Sequence, residues 1–248
     1  MLLSLTALRE LSLRIGWLND RLRGDNMRAS AAAINEIAER ACSTESRARE
    51  ALLAVAIFLA QKRQSALVWA LKQEARDQSL LALQRLLRES REDSILPIEL
   101  EQRVPDYGTG RELSVGERRS LARRPTRIQI ERLILDPHSL PLEQLFKCPQ
   151  LTEDDVVQIA TRRPAQLPAL DLLGQSTRWM ARRRVRLSII LNPGSPQGLA
   201  LPLVSTCRRE DLHLIVGSTN LSTTIRTVAH ELFCRLPPMD IPLAHGRH

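Results

Sequence analysis

The chain has 248 residues, of which 43% are hydrophobic but only 3% aromatic, and it carries a formal net charge of +8. That length can bury a sizeable core in one elongated domain or in two smaller ones, and a core so poor in aromatics must be built from aliphatic side chains, Leu and Ala foremost, which favour helices. Cys42, Cys148, Cys207 and Cys234 stand far apart with no paired spacing, which argues against a disulfide or zinc framework.

The longest apolar run, residues 51–60, is about half of what a membrane span needs. Arg9 and Glu10 interrupt the apolar start before a signal-peptide core can form. The expectation is therefore a helical protein of the reducing cytoplasm with no membrane partner.

In chain order, residues 3–22 place Leu5, Leu8, Ile15, Leu18 and Leu22 at helical spacing and predict one amphipathic helix, with Gly24 as its stop. Asp25 can cap a second helix with a small-residue face of Ala33, Ile34, Ile37, Ala38 and Ala41. Ser43 or Thr44 starts a third, carrying Leu52, Val55, Ile57 and Leu59. Ser65 caps a fourth that runs through Leu67, Trp69, Leu71, Leu80, Leu83 and Leu87. Short connections favour antiparallel neighbours. Periodicity then fails between Arg91 and Arg111, and Pro97 with the stretch from Pro105 to Gly110 reads as a linker or exposed loop. Gly108-Thr-Gly110 has no third glycine and no strand before it, so it is no dinucleotide fingerprint.

From Ser114 the chain becomes repetitive. Ser114-x-x-Glu117 and Thr126-x-x-Gln129 are capping boxes, each opening a short apolar-periodic segment. A double-proline unit then recurs: Pro137 with Pro141, Pro164 with Pro168, Pro193 with Pro196, and a degenerate copy at Asn220 with Ser222. The spacings are 27, 29 and 27 residues. Four residues before each mark stands an apolar side chain: Leu133, Ala160, Ile189 and Val216. The first proline cannot continue the preceding helix, and it turns its own predecessor away from the helical region. The second falls in the first turn of the next helix, where a missing N–H costs nothing, with Ser139 or Ser195 as the expected cap. Helices this short are not stable alone, so they must stack.

Taken together, the pattern predicts an all-α chain of N-terminal antiparallel helices followed by an α-solenoid of short two-helix repeats with a period of 27–29 residues. The expected divisions are a helical region 1–90, a linker 91–111, the repeats 112–236 and a tail 237–248. The repeat tract resembles the short-repeat members of the HEAT and armadillo superfamily, and especially the leucine-rich repeat variant type. The resemblance implies architecture rather than activity. A cysteine cluster for an iron–sulfur centre, known from that type, has no counterpart here, so no cofactor is expected.

The remaining chemistry is sparse. His230-Glu231 begins like a zincin helix, but Cys234 stands where a second histidine is needed, and two ligands leave a zinc site incomplete. Glu153, Asp154 and Asp155 sit where a helix dipole favours carboxylates. Arginine is the patterned residue: Arg123 and Arg124 precede Pro125, Arg162 and Arg163 precede Pro164, and Arg182, Arg183, Arg184 and Arg186 form a third group. Residues 112–236 hold 18 basic and 12 acidic side chains, whereas residues 1–111 hold 17 and 15, so the excess charge lies in the repeats. Stacked repeats would align these arginines into a stripe, or set them over helix ends, where cations complement the dipole. The reading that follows is a non-enzymatic scaffold with a protein partner. The alternative is sequence-independent binding of nucleic acid through duplex phosphates, since aromatics for stacking on single strands are few. An enzyme of the HEAT-like DNA glycosylase kind would need a pocket furnished with acids and aromatics, and ranks last.

Overall fold

A stretch as uniformly apolar as residues 51–60 leaves a helix no face to show to water, and the rest of the molecule is arranged to cover it. The computed structural model describes residues 1–24, 26–43, 45–88 and 104–236. Among these it forms sixteen helices and no strand. The N-terminal six are α1 (Leu2–Ala7), α2 (Leu11–Leu22), α3 (Met27–Cys42), α4 (Ser46–Gln61), α5 (Ala66–Asp77) and α6 (Leu81–Leu86). After residue 104 come α7 (Val115–Leu121), α8 (Arg127–Leu133), α9 (Ser139–Leu145), α10 (Glu153–Thr161), α11 (Leu167–Gln175), α12 (Thr177–Met180), α13 (Arg183–Leu191), α14 (Gln197–Val204), α15 (Arg209–Gly217) and α16 (Thr223–Arg235).

Helix α4 is the centre. Ala51, Leu52 and every residue from Ala54 to Ala60 are buried, and the helix packs against α1, α2 and α3 on one hand and α11 and α14 on the other. One continuous apolar core consequently runs from Leu5 to Leu232. No single helix of the described residues is long and apolar enough to cross a membrane.

The N-terminal helices depart from the sequence expectation in detail. The helix expected over 3–22 is two, because Leu8 and Glu10 are extended between α1 and α2. The break is held by Arg14, whose Nε donates to the Leu8 carbonyl at 2.8 Å. The expected fourth helix also divides. Ser79 takes a positive φ of 53°, and Leu80 N–H closes back on the Ala75 carbonyl at 2.8 Å, a Schellman stop made with serine in place of glycine. Asp25 and Thr44, expected as caps, lie outside the described residues. Asn26 caps α3 by accepting from Ala29 N–H, and α4 starts after Glu45 rather than Ser43. Ser65 caps α5 as expected.

In the C-terminal half the prolines of the double-proline units mark the helix boundaries, whereas Pro202, outside those units, is buried within α14. Pro137, Pro164 and Pro193 lie between helices, while Pro141 and Pro168 sit in the first turns of α9 and α11, and Pro196 is the N-cap of α14. The units are α8 with α9, α10 with α11, α13 with α14, and α15 with α16, each pair in contact. First helices touch first helices, α10 on α13 and α13 on α15, and second helices touch second, α9 on α11 and α14 on α16. The middle interval holds α12, a single turn that buries Trp179 and Met180, the Trp179 indole donating to the Phe146 carbonyl at 3.0 Å. Both expected capping boxes are present, and Thr152 with Asp155 forms another. The expected serine caps are not. Ser139 is already inside α9, and the Ser195 hydroxyl donates backwards to the Ile189 carbonyl at 2.6 Å.

The turns between helices lock neighbouring units together. Asn192, ahead of Pro193, accepts from Gly194 N–H at 3.1 Å and donates to the Ala160 and Arg162 carbonyls of the preceding unit, at 2.7 and 3.1 Å. The turn comes so close that a Cβ on Gly194 would stand 2.5 Å from that of Ala165. Asp136, ahead of Pro137, makes the same local turn by accepting from His138 N–H at 2.9 Å. It cannot donate, and instead it anchors a buried polar centre. Tyr107 donates its hydroxyl to Asp136 at 2.8 Å, and the Arg118 guanidinium stands 3.2 Å away as a charge pair with both side chains sealed from water. The stretch from Pro105 to Gly110, expected as an exposed loop, is thus pinned to the core by its tyrosine.

Removing the cation from this centre strands a buried carboxylate. Arg118→Met should therefore destabilise by roughly 3–5 kcal/mol, the usual result of breaking a sealed pair on one side. Arg118→Met with Asp136→Asn should recover much of that loss. Urea unfolding of the single and double variants reads both, and a single variant within about 1 kcal/mol of the parent would refute the assignment.

Candidate functional site

The arginines picked out by sequence lie along the junctions of the two-helix units, and most are engaged with the protein itself. Arg162 donates from Nη1 to the Leu135 carbonyl at 2.9 Å, and Arg163 reaches the Leu191 carbonyl at 3.5 Å, so each tends the end of a neighbouring unit's first helix. Arg186 is buried. It donates to the carbonyls of Met180 and Ala181 at 2.8 and 2.9 Å and to the Thr206 hydroxyl at 3.2 Å, while burial pushes its pKa down.

Arg183 and Arg184 at the start of α13 are held by acids of the units on either side. Arg183 grips Asp211 with Nε at 2.9 Å and Nη2 at 2.5 Å and also reaches Glu210, whereas Arg184 turns the other way to Asp154 at 2.7 Å. The same arrangement appears two steps earlier, where Arg127 at the start of α8 binds both oxygens of Asp155 at 2.8 and 2.7 Å. Arg127 with Asp155 and Arg183 with Asp211 are both 28 residues apart, one repeat length.

The helix starts therefore alternate: arginine at α8, acids at α10, arginine at α13, acids with arginine at α15. The arginine groups do not form an unbroken basic track, because Glu153, Asp154 and Asp155 stand between them. Three of the eight predicted site residues keep their side chains exposed, with no hydrogen bond or ion pair inside the described residues: Arg123, Arg124 and Arg182.

Sequence reasoning missed Arg127, Asp155 and Asp211, although the common offset of 28 residues was there to find. It also missed an apolar feature of the first unit. Ile128 on α8 is 69% exposed, Leu135 in the turn that follows α8 is 39% exposed, and Leu140 at the start of α9 is 45% exposed. Arg123 and Arg124 immediately precede α8. His230 and Cys234 approach to 3.8 Å on α16, and among the described residues no further ligand-type side chain joins them into a metal-holding group.

No family model, no curated protein and no solved structure matches this chain.

The paired acids have a pH signature. Burial alone would raise the Asp155 pKa, but hydrogen bonds from Arg127 and from the hydroxyl and N–H of Thr152 outweigh it, and the net direction is down. A carboxyl lowered on folding adds stability that is complete above its unfolded pKa and is lost as pH falls through the lower folded value. Asp155→Asn should thus weaken the fold at neutral pH and flatten its acid sensitivity below about pH 4. Thr152→Ala, which removes the cap and one of the hydrogen bonds to the carboxylate, should cost about 0.5–2 kcal/mol at neutral pH and keep the part of the acid sensitivity that Arg127 supplies. Denaturant melts across the acid range separate the two, and parallel curves for Asp155→Asn and the parent would contradict the pairing.

Proposed function

We propose that this chain is a non-enzymatic interaction scaffold, a short row of helical repeats of the HEAT and armadillo kind that binds a protein partner on the outward surface of its first unit. The observation that carries the reading is the coincidence, at α8 and α9, of exposed Ile128, Leu135 and Leu140 with Arg123 and Arg124, two arginines the fold leaves unengaged. Apolar anchors flanked by cations suit a partner segment that combines apolar and acidic side chains. The opposite side is less available, because α4 already lies on α11 and α14.

Duplex binding is the rival. Phosphate tracking needs cations in succession, and the acids of α10 interrupt them with like charge to the backbone they would face. That interruption favours the protein partner.

Affinity capture from extract of the cell that makes the protein decides between them, comparing wild type with Ile128→Asp and with Arg123→Ala/Arg124→Ala. Position 128 is largely exposed, so Ile128→Asp should shift stability by no more than about 0.5 kcal/mol while abolishing capture of a discrete protein. Identical captured sets on all three columns would overturn the reading. Tight duplex binding at low salt that falls steeply with log salt, and whose slope drops in the arginine variant, would transfer the site to nucleic acid.

A further inference from the structure

A cavity of about 530 Å³ opens where α3, α4 and α6 face the last two units. Protein interiors are packed close to crystal density, and gaps of this size are ligand-sized rather than packing defects. Its walls are aliphatic, with Leu52, Leu86, Leu201, Leu212, Val228 and Leu232 among them. Its charges are one-sided. Arg49, Arg85, Arg186, Arg208 and Arg209 line it, and no carboxylate of the described residues does.

Two of these guanidinium groups are nine-tenths buried and incompletely used. Arg85, 6% exposed, spends only Nε, on Glu231 at 3.0 Å, so both of its terminal nitrogens lack a partner within the described residues. Arg186, 7% exposed, spends Nε and Nη1 and leaves Nη2 over. Buried donors are ordinarily satisfied, and these three nitrogens are not among the sealed unsatisfied atoms, so each keeps some accessible surface. Arg85 also lines a second, smaller cavity of about 380 Å³, whose wall includes Arg76, Arg88 and Arg235 and, among the described residues, the single carboxylate Glu231. The wall thiols play no nucleophilic part, because burial pushes Cys207 up to about 12 and raises Cys42 as well, keeping both neutral.

An aliphatic chamber lined by five arginines, Arg85 and Arg186 of them buried, fits one ligand chemistry. We propose that this cavity binds an anionic amphiphile, its hydrocarbon body against the leucines of the larger chamber and its carboxylate or phosphate head on Arg85, the residue common to both cavities. The anion supplies the acceptors that Arg85 lacks and relieves the repulsion among the arginines. This site is separate from the surface of the first unit and does not depend on it.

The test is titration calorimetry of the full chain with laurate, dodecyl phosphate, dodecanol and inorganic phosphate, below micelle-forming concentrations. Laurate and dodecyl phosphate should each bind saturably, one per chain. Dodecanol and inorganic phosphate should bind at least about tenfold more weakly, since each offers half of the recognition. Tighter binding of either anionic chain supports the site and names its head group. Arg85→Met should weaken both anionic probes by about tenfold or more and leave dodecanol unchanged. Arg49→Met, at an exposed position, makes the same comparison without touching the Glu231 pair. Leu53→Trp, which fills the chamber from a half-buried position, should weaken all three chain-bearing probes. Equal affinity for dodecanol and laurate, equal affinity for inorganic and dodecyl phosphate, or no binding by any probe would each overturn the proposal.

Discussion

A helix that is apolar on every side must be surrounded, and in this protein that requirement organises everything else. Past Glu50, helix α4 supplies no polar face, and its alanines at 48, 51, 54, 56 and 60 allow neighbours to approach closely. Those neighbours come from both ends of the chain, α1, α2 and α3 from one and α11 and α14 from the other. Short helices that could not stand alone are in this way gathered onto a core they share with the N-terminal helices. The large cavity lies on the same boundary, where the covering by α3, α4 and α6 is incomplete.

Polar chemistry is distributed around that apolar centre with little left over. Arginine serves as a connector: its fork reaches helix-end carbonyls at Leu135 and Leu191, and grips carboxylates at Asp155 and Asp211. Pairs of this kind, with a buried carboxylate and a partly exposed guanidinium, contribute modestly to net stability, but they penalise any arrangement that leaves the carboxylate unpaired. The aliphatic core is permissive about exact placement, and the arginine pairs are not. What remains uncommitted is therefore informative: Arg123 and Arg124 beside exposed apolar side chains, and the terminal nitrogens of Arg85 beside a cavity.

The helical class and the unit boundaries were legible in the sequence because proline acts locally, through its own ring and missing N–H, whatever surrounds it. Capping boxes at Ser114 and Thr126 were legible for the same reason. The centrality of α4 was partly visible, since residues 51–60 have no polar interruption, yet reading only Leu52, Val55, Ile57 and Leu59 as a stripe understated it. The break at Ser79 was hidden by a serine in a conformation that glycine usually marks. The acids from Glu153 to Asp155 looked sufficiently explained by their own helix, which concealed that Asp155 also answers Arg127 one repeat earlier. The cavity could not be read at all. Its arginines come from four helices and a turn, and no local pattern announces that they converge.

The offset pairs place a constraint on how such a row can grow. Arginine at the start of α8 faces acid at α10, arginine at α13 faces acid at α10 on one side and at α15 on the other, so the sign at helix starts reverses at each step. Excising the second unit would set Arg127 against Arg183, and duplicating it would set acids against acids. Insertions and losses of whole helix pairs that keep every ion pair intact must come in twos, so the order of the helices carries a parity check written in charge.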